Sequence, residues 1–138
     1  MLSDLTQELR AMTDQTISTT ERGLWGEQLA MQALEAHGYA IIQRNWRAAT
    51  GEIDIVARED EMWVFVEVKT RSSEAFESPE EAVTPEKEQR LYETGLLYLA
   101  EHELGEVGWR IDVVAITLGE SGKVRRLAIY KDAVRVRD

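Results

Sequence analysis

Across residues 51–70, apolar and polar positions alternate in two runs, the period of a β-strand with one buried face. In the first run, residues 51–58, Ile53 and Ile55 fall on one face and Glu52, Asp54 and Val56 on the other. In the second, residues 63–70, Val64, Val66 and Val68 form an apolar face. The opposite face starts apolar at Trp63 and Phe65 and turns charged at Glu67 and Lys69. A switch partway along one face predicts a core that opens into a cleft at the strand's end. Elsewhere the period is helical. Leu24, Glu27, Met31 and Leu34 recur at helical intervals and Ala30 widens the stripe, so Glu27 is expected in the middle of a sheet-facing surface.

Local signals bound these elements. Ser18-Thr19-Thr20-Glu21 has capping-box spacing and predicts a helix ending near Gly38. Residues 39–46 read as a strand. Thr84 followed by Pro85 opens a second helix that stops at Gly105, with Tyr92, Leu96 and Leu99 spaced as its core face. Residues 109–118, a turn at 119–122 and residues 124–130 form a second hairpin. The stretch 119–122 shares glycines with a phosphate loop but lacks the following Ser or Thr, and no helix follows. Residues 1–16 read as a short helix outside the core, and 71–83 as a polar connection. The expected domain spans 19–131, between an extension at 1–18 and a tail at 132–138. Helix, three strands, helix, two strands predicts an α/β fold, a mixed β-sheet flanked by helices.

A turn centred on Asp60-Glu61 sets Arg58 against Trp63 and Val56 against Phe65. Asp54 then lies opposite Glu67, and Glu52 opposite Lys69. Opposed residues of an antiparallel pair share a face, so two like charges there destabilise the sheet. A divalent cation removes that penalty, since Mg²⁺ seeks carboxylate oxygens and retains several waters. A register shifted by one would put the acids on opposite faces. Lys69 within reach of both carboxylates can position a water and stabilise negative charge at a scissile phosphate. The plainer alternative is a surface charge pair between Glu67 and Lys69. Glu27 likewise reads either as a partner of Arg44 or Arg47, or as a third acid of the site. Gly23 and Gly26 beside it would let the helix approach the sheet closely. Asp112, in the apolar run 111–114, is expected to pair with Arg110. Trp25, Trp46, Trp63 and Trp109 read as core or rim aromatics.

Composition changes this picture in two respects. The 138 residues include no cysteine, which excludes thiolate metal sites and disulfides, and His37 and His102 form no ligand-spaced pair. The N-terminus lacks the basic start and apolar stretch of a secretory signal, and no run approaches the ~20 apolar residues of a membrane span. A cytoplasmic protein is the default expectation. The net charge of −10 opposes phosphate binding, but it is unevenly spread. Residues 74–106 carry ten Glu against Lys87 and Arg90, whereas Arg125, Arg126, Lys131, Arg135 and Arg137 leave the C-terminal part basic.

Gly26-Glu27, Arg44-Asn45-Trp46-Arg47, Gly51-Glu52-Ile53-Asp54 and the segment from Phe65 through Arg71 together resemble the bacterial YraN-like family. That family in turn resembles archaeal Holliday junction resolvases of the PD-(D/E)XK nuclease superfamily. The likeness covers residues 20–131 and implies a restriction-endonuclease-like fold. It implies that Asp54 and Glu67 bind Mg²⁺ or Mn²⁺ with the Val68 carbonyl, that Lys69 is the catalytic lysine, and that Glu27 is the helix acid of the same site, pointing toward the same metal. Arg44, Arg47, Arg71 and Lys87 would contact nucleic acid. The expected function is a metal-dependent endonuclease on branched or structured DNA, and symmetric cutting calls for a homodimer. The alternatives are a catalytically inactive nuclease-fold module that binds nucleic acid or a protein, and a plain interaction protein whose acids are salt-bridged.

Overall fold

The computed structural model describes residues 19–72 and 83–134. The expected helix at 1–16, the Ser18 cap and most of the 71–83 connection lie outside the described residues. Within them the order is α1 (Thr19–Ala36), β1 (Ala40–Ala48), β2 (Gly51–Glu59), β3 (Met62–Arg71), α2 (Pro85–Glu101), β4 (Trp109–Leu118), a short 3₁₀ turn (Glu120–Gly122) and β5 (Val124–Tyr130). The five strands form one sheet in chain order. Neighbours are antiparallel except β3 and β4, which run parallel. A parallel pair needs a crossover, and α2 supplies it. The α/β, mixed-sheet architecture flanked by helices is therefore the one expected.

Each helix covers one face of the sheet. Trp25, Leu29, Ala30 and Leu34 of α1 pack on Ile55, Ala57, Val64, Val66, Val114 and Ile116. Leu91, Tyr98 and Leu99 of α2 pack on Ile53, Val56, Phe65, Ile111 and Val113. Thr84 caps α2 by accepting the Lys87 amide, and Pro85 follows in the first turn. Gly95 lets α2 settle onto Phe65, because a Cβ there would come within 2.9 Å of the ring. From Ile111 to Leu118 every residue of β4 is buried, as a strand covered on both sides requires.

Three face assignments differ from expectation. Ile53 and Ile55 do not share a face: Ile53 packs under α2 and Ile55 under α1. Alternation fails at Asp54, where the β1–β2 ladder misses a pair. On α1, Leu24 is 50% exposed and Glu27 sits half-buried at the margin, because the larger Trp25 takes the buried position. On α2, Leu96 is exposed while Leu91, Tyr98 and Leu99 make the core face.

Asp112 is fully buried and structural. It accepts from Arg110 Nε at 2.9 Å, from the Tyr39 hydroxyl at 2.7 Å and from the Asp132 amide at 2.8 Å. Arg110 also donates to Glu59 at 2.8 Å, which Lys131 engages from the other side. Burial opposes the Arg110 charge, but these partners outweigh it and hold its pKa above the ordinary value. Residues beyond β5, placed in the tail from sequence, return to the sheet: Ala133 donates to the Ile111 carbonyl and Val134 is buried.

Candidate active site

The β2–β3 register is the expected one, with Val56 against Phe65 and Arg58 against Trp63. It continues only to Ile55 and Val66. Beyond that point β2 stays paired with β1 as far as Gly51, and β3 with β4 as far as Arg71, but not with each other. The expected oppositions of Asp54 with Glu67 and of Glu52 with Lys69 are therefore not ladder pairs. Instead the Asp54 side chain crosses the opening, and its Oδ2 accepts the Val68 amide hydrogen at 2.8 Å. Two strands parting in mid-sheet leave polar backbone exposed, and a short carboxylate satisfies it.

Asp54, Glu67 and Lys69 meet at this opening. Glu67 and Lys69, both mostly buried, form an ion pair at 3.3 Å. Burial and the charge of Asp54 push the Glu67 carboxyl up to about 7, with Lys69 offsetting only part of this. Burial also raises Asp54, although the Val68 amide and Lys69 work the other way. Burial opposes the Lys69 charge, yet Lys87, Glu67 and Asp54 together hold its pKa above normal. Lys87 at the start of α2 is lowered by its contact with Lys69. Gly51, Glu52, Glu67, Lys87, Arg90, Leu91 and Thr94 line a cleft of about 140 Å³ at this place.

Glu27 reaches the same place from α1. Burial and the charge of Asp54 raise its pKa, and Arg44 only partly opposes them. No ion pair joins Glu27 to Arg44 or Arg47 among the described residues; Arg47 lies 3.6 Å from Glu52 instead. Turned so that its nitrogen faces the acids, the Asn45 amide donates to Glu27 Oε1 at 2.7 Å and to Glu52 Oε1 at 3.0 Å. Gly26 allows this approach, because a Cβ there would collide with the Thr70 hydroxyl. Gly23 meets nothing within 4 Å and has no such role. Arg44, Arg47 and Arg71 lie exposed around the site. The structure thus brings Glu27, Asp54, Glu67, Lys69 and Lys87, singled out from sequence, to one place, together with Asn45, Arg90 and Thr94, to which sequence reasoning assigned no role. Asn45 lay within the quoted Arg44-Asn45-Trp46-Arg47 motif, whereas helical spacing from Lys87 was the one signal for Arg90 and Thr94.

Among the described residues, no group of three or more His, Asp or Glu side chains forms a ready cage for a metal ion. Two carboxylates whose charges are held back by burial and by a neighbouring acid nevertheless fit a Mg²⁺-type cation, which takes one or two carboxylates and leaves other positions to water or phosphate.

The profile described as Uncharacterised protein family UPF0102 matches residues 26–116. A UPF0102 protein of Beutenbergia cavernae is 50% identical over 103 residues, covering 75% of this chain and 87% of its own. One of Syntrophus aciditrophicus is 40% identical over 133 residues, covering 96% and 94%. Among solved structures, Pyrococcus furiosus SfsA in complex with Ca²⁺ is 19% identical with a TM-score of 0.42, covering 87% of this chain and 66% of that one, just under two thirds.

Proposed function

The chain belongs to the uncharacterised protein family UPF0102, and on that premise we propose that it is a metal-dependent endonuclease cutting DNA phosphodiester bonds. Its substrate is branched or structured DNA, its place of action the cytoplasm, and its working form a homodimer that presents two such sites. The observation that carries the reading is the partly buried pair Asp54 and Glu67, with Lys69 beside it, where β2 and β3 part. A stabilising role alone does not account for two neighbouring acids both raised in pKa, Asp54 by burial and the charge of Glu52, Glu67 by burial and the charge of Asp54.

Asp54 and Glu67, with the Val68 carbonyl, would hold Mg²⁺ or Mn²⁺. Bound there, the cation supplies Lewis-acid polarisation of a phosphoryl oxygen and neutralises both acids. Lys69 keeps its proton, orients the attacking water and faces the negative charge that grows on the scissile phosphate. Glu27 orients the water from the α1 side. Lys87 and Arg90 stand at the cleft and take an adjacent backbone phosphate, while Arg44, Arg47 and Arg71 extend the cationic rim. No helix among the described residues is long and apolar enough to cross a membrane.

Calorimetric titration of Mn²⁺ and Mg²⁺ into wild type and Asp54→Ala tests this, followed by cleavage of linear, flapped and four-way DNA. Expected are Mn²⁺ binding that disappears in Asp54→Ala and cutting of branched substrate. No Mn²⁺ binding in the wild type, together with no cutting where a control resolvase cuts, overturns the proposal. The charge of −10 favours a second reading, a catalytically inactive nuclease-fold module that binds nucleic acid or a protein. Under it, Asp54→Ala would leave function in cells intact.

A further inference from the structure

The backbone of β1 has one irregularity at the site itself. The ladder joins Arg44 to Ile55 and Trp46 to Ile53, but not Asn45 to Asp54 between them. Asn45 has a φ of 51°, the left-handed region that side chains other than those of Gly, Asn and Asp rarely occupy. The irregularity lies next to Asp54 and at the point where β2 changes faces between Ile53 and Ile55. A left-handed residue and a missing ladder pair kept beside a cluster of acids call for a functional account. The side chain supplies one, since its amide nitrogen bridges Glu27 on α1 and Glu52 on β2. Those two acids come from different layers, and among the described residues the ion-pair partner of Glu52 is exposed Arg47, which does not reach Glu27.

We infer that Asn45 is a positioning residue of the site: its left-handed backbone frees Asp54 from the β1–β2 ladder, and its amide holds Glu27 and Glu52 beside Asp54. The part of this that concerns metal rests on the nuclease reading above. Asn45 touches neither substrate nor cation; it acts through the carboxylates it fixes. Glu27 and Glu52 stand beside the ligand Asp54, and the outer partners of a ligating carboxylate are worth about 10–100-fold in metal affinity. Asparagine suits both tasks, as it tolerates the left-handed region and offers a neutral donor to two anions.

Glycine adopts a φ of 51° without strain, so Asn45→Gly preserves the backbone break and removes only the amide. The experiment is a double-mutant cycle of Asn45→Gly and Glu27→Ala, read twice: by Mn²⁺ calorimetry and by thermal unfolding of the metal-free proteins. Asn45→Gly should weaken Mn²⁺ binding about tenfold. In the Glu27→Ala background the same substitution should cost less than about threefold, because the bridge has already lost one of its two ends. Equal affinity of wild type and Asn45→Gly, or the same loss in both backgrounds, overturns the inference while leaving the nuclease reading standing. If the wild type binds no Mn²⁺, that result counts against the nuclease reading, to be judged with the cleavage assay, and the unfolding midpoints alone decide the role of Asn45. Midpoint shifts that simply add overturn the role of Asn45; non-additive shifts support it.

Discussion

Glu67 holds its proton to about pH 7, because burial and the facing Asp54 disfavour its charge more than Lys69 favours it. The unfolded chain releases that proton near the ordinary value of 4.5. Between those two values the native state binds more protons than the unfolded one, so stability falls as pH rises. The contribution is present in full below about 4.5 and is lost by about 7. Glu67→Gln keeps the shape and removes the charge. Without metal it should match wild type in chemical denaturation at pH 4 and exceed it by on the order of 3 kcal/mol at pH 8. Equal stability at both pH values would show that Glu67 is comfortable as an anion. Asp54, Glu67 and Lys69 were legible in the sequence because a charge switch on one strand face met an acid at the matching register position. Asn45 was not, since its importance comes from a backbone angle and a missing ladder pair that no periodicity encodes.

Between elements, the site depends on how closely α1 approaches the end of β3. Gly26 faces Thr70, the residue after Lys69, with no room for a methyl group. Thr70 is β-branched and cannot easily turn aside. Gly26→Ala should therefore destabilise the fold by about 1–3 kcal/mol, although alanine is the better helix former. Adding Thr70→Ala should restore most of the loss, and a double variant as unstable as Gly26→Ala would locate the strain elsewhere. Elements and their order were readable because capping signals, proline and alternating strands agree along the chain. Which side chains face inward was less so. Trp25 displaces Leu24 from the buried stripe, Leu96 yields to Leu91 and Tyr98, and the break at Asn45 moves Ile53 under α2. Each outcome depends on what stands across the sheet, which spacing within one segment does not specify.

For the whole molecule, the charge of −10 and the proposed DNA substrate pull in opposite directions. The conflict is one of distance. Lys87 and Arg90 lie in the first turns of α2, while Glu101 ends it and Glu103 and Glu106 follow, all three exposed. At a rise of 1.5 Å per residue, Glu101 is about 20 Å along the axis from Lys87. Charges that far apart are screened at physiological salt, where the Debye length is about 8 Å, but not at 0.01 M, where it is about 30 Å. Close contacts at the cleft would thus meet the repulsion of these three acids only in dilute salt, whereas Glu86 and Glu88 beside Lys87 act at any salt concentration. The triple variant Glu101→Gln, Glu103→Gln, Glu106→Gln should bind four-way DNA several-fold tighter than wild type at 10 mM salt and equally at 150 mM, roughly as screening dictates. Measured by fluorescence anisotropy, a gain of the same size at both salt concentrations would mean that these acids lie against the DNA itself. In that case the DNA path would run along α2 rather than across the opening between β2 and β3.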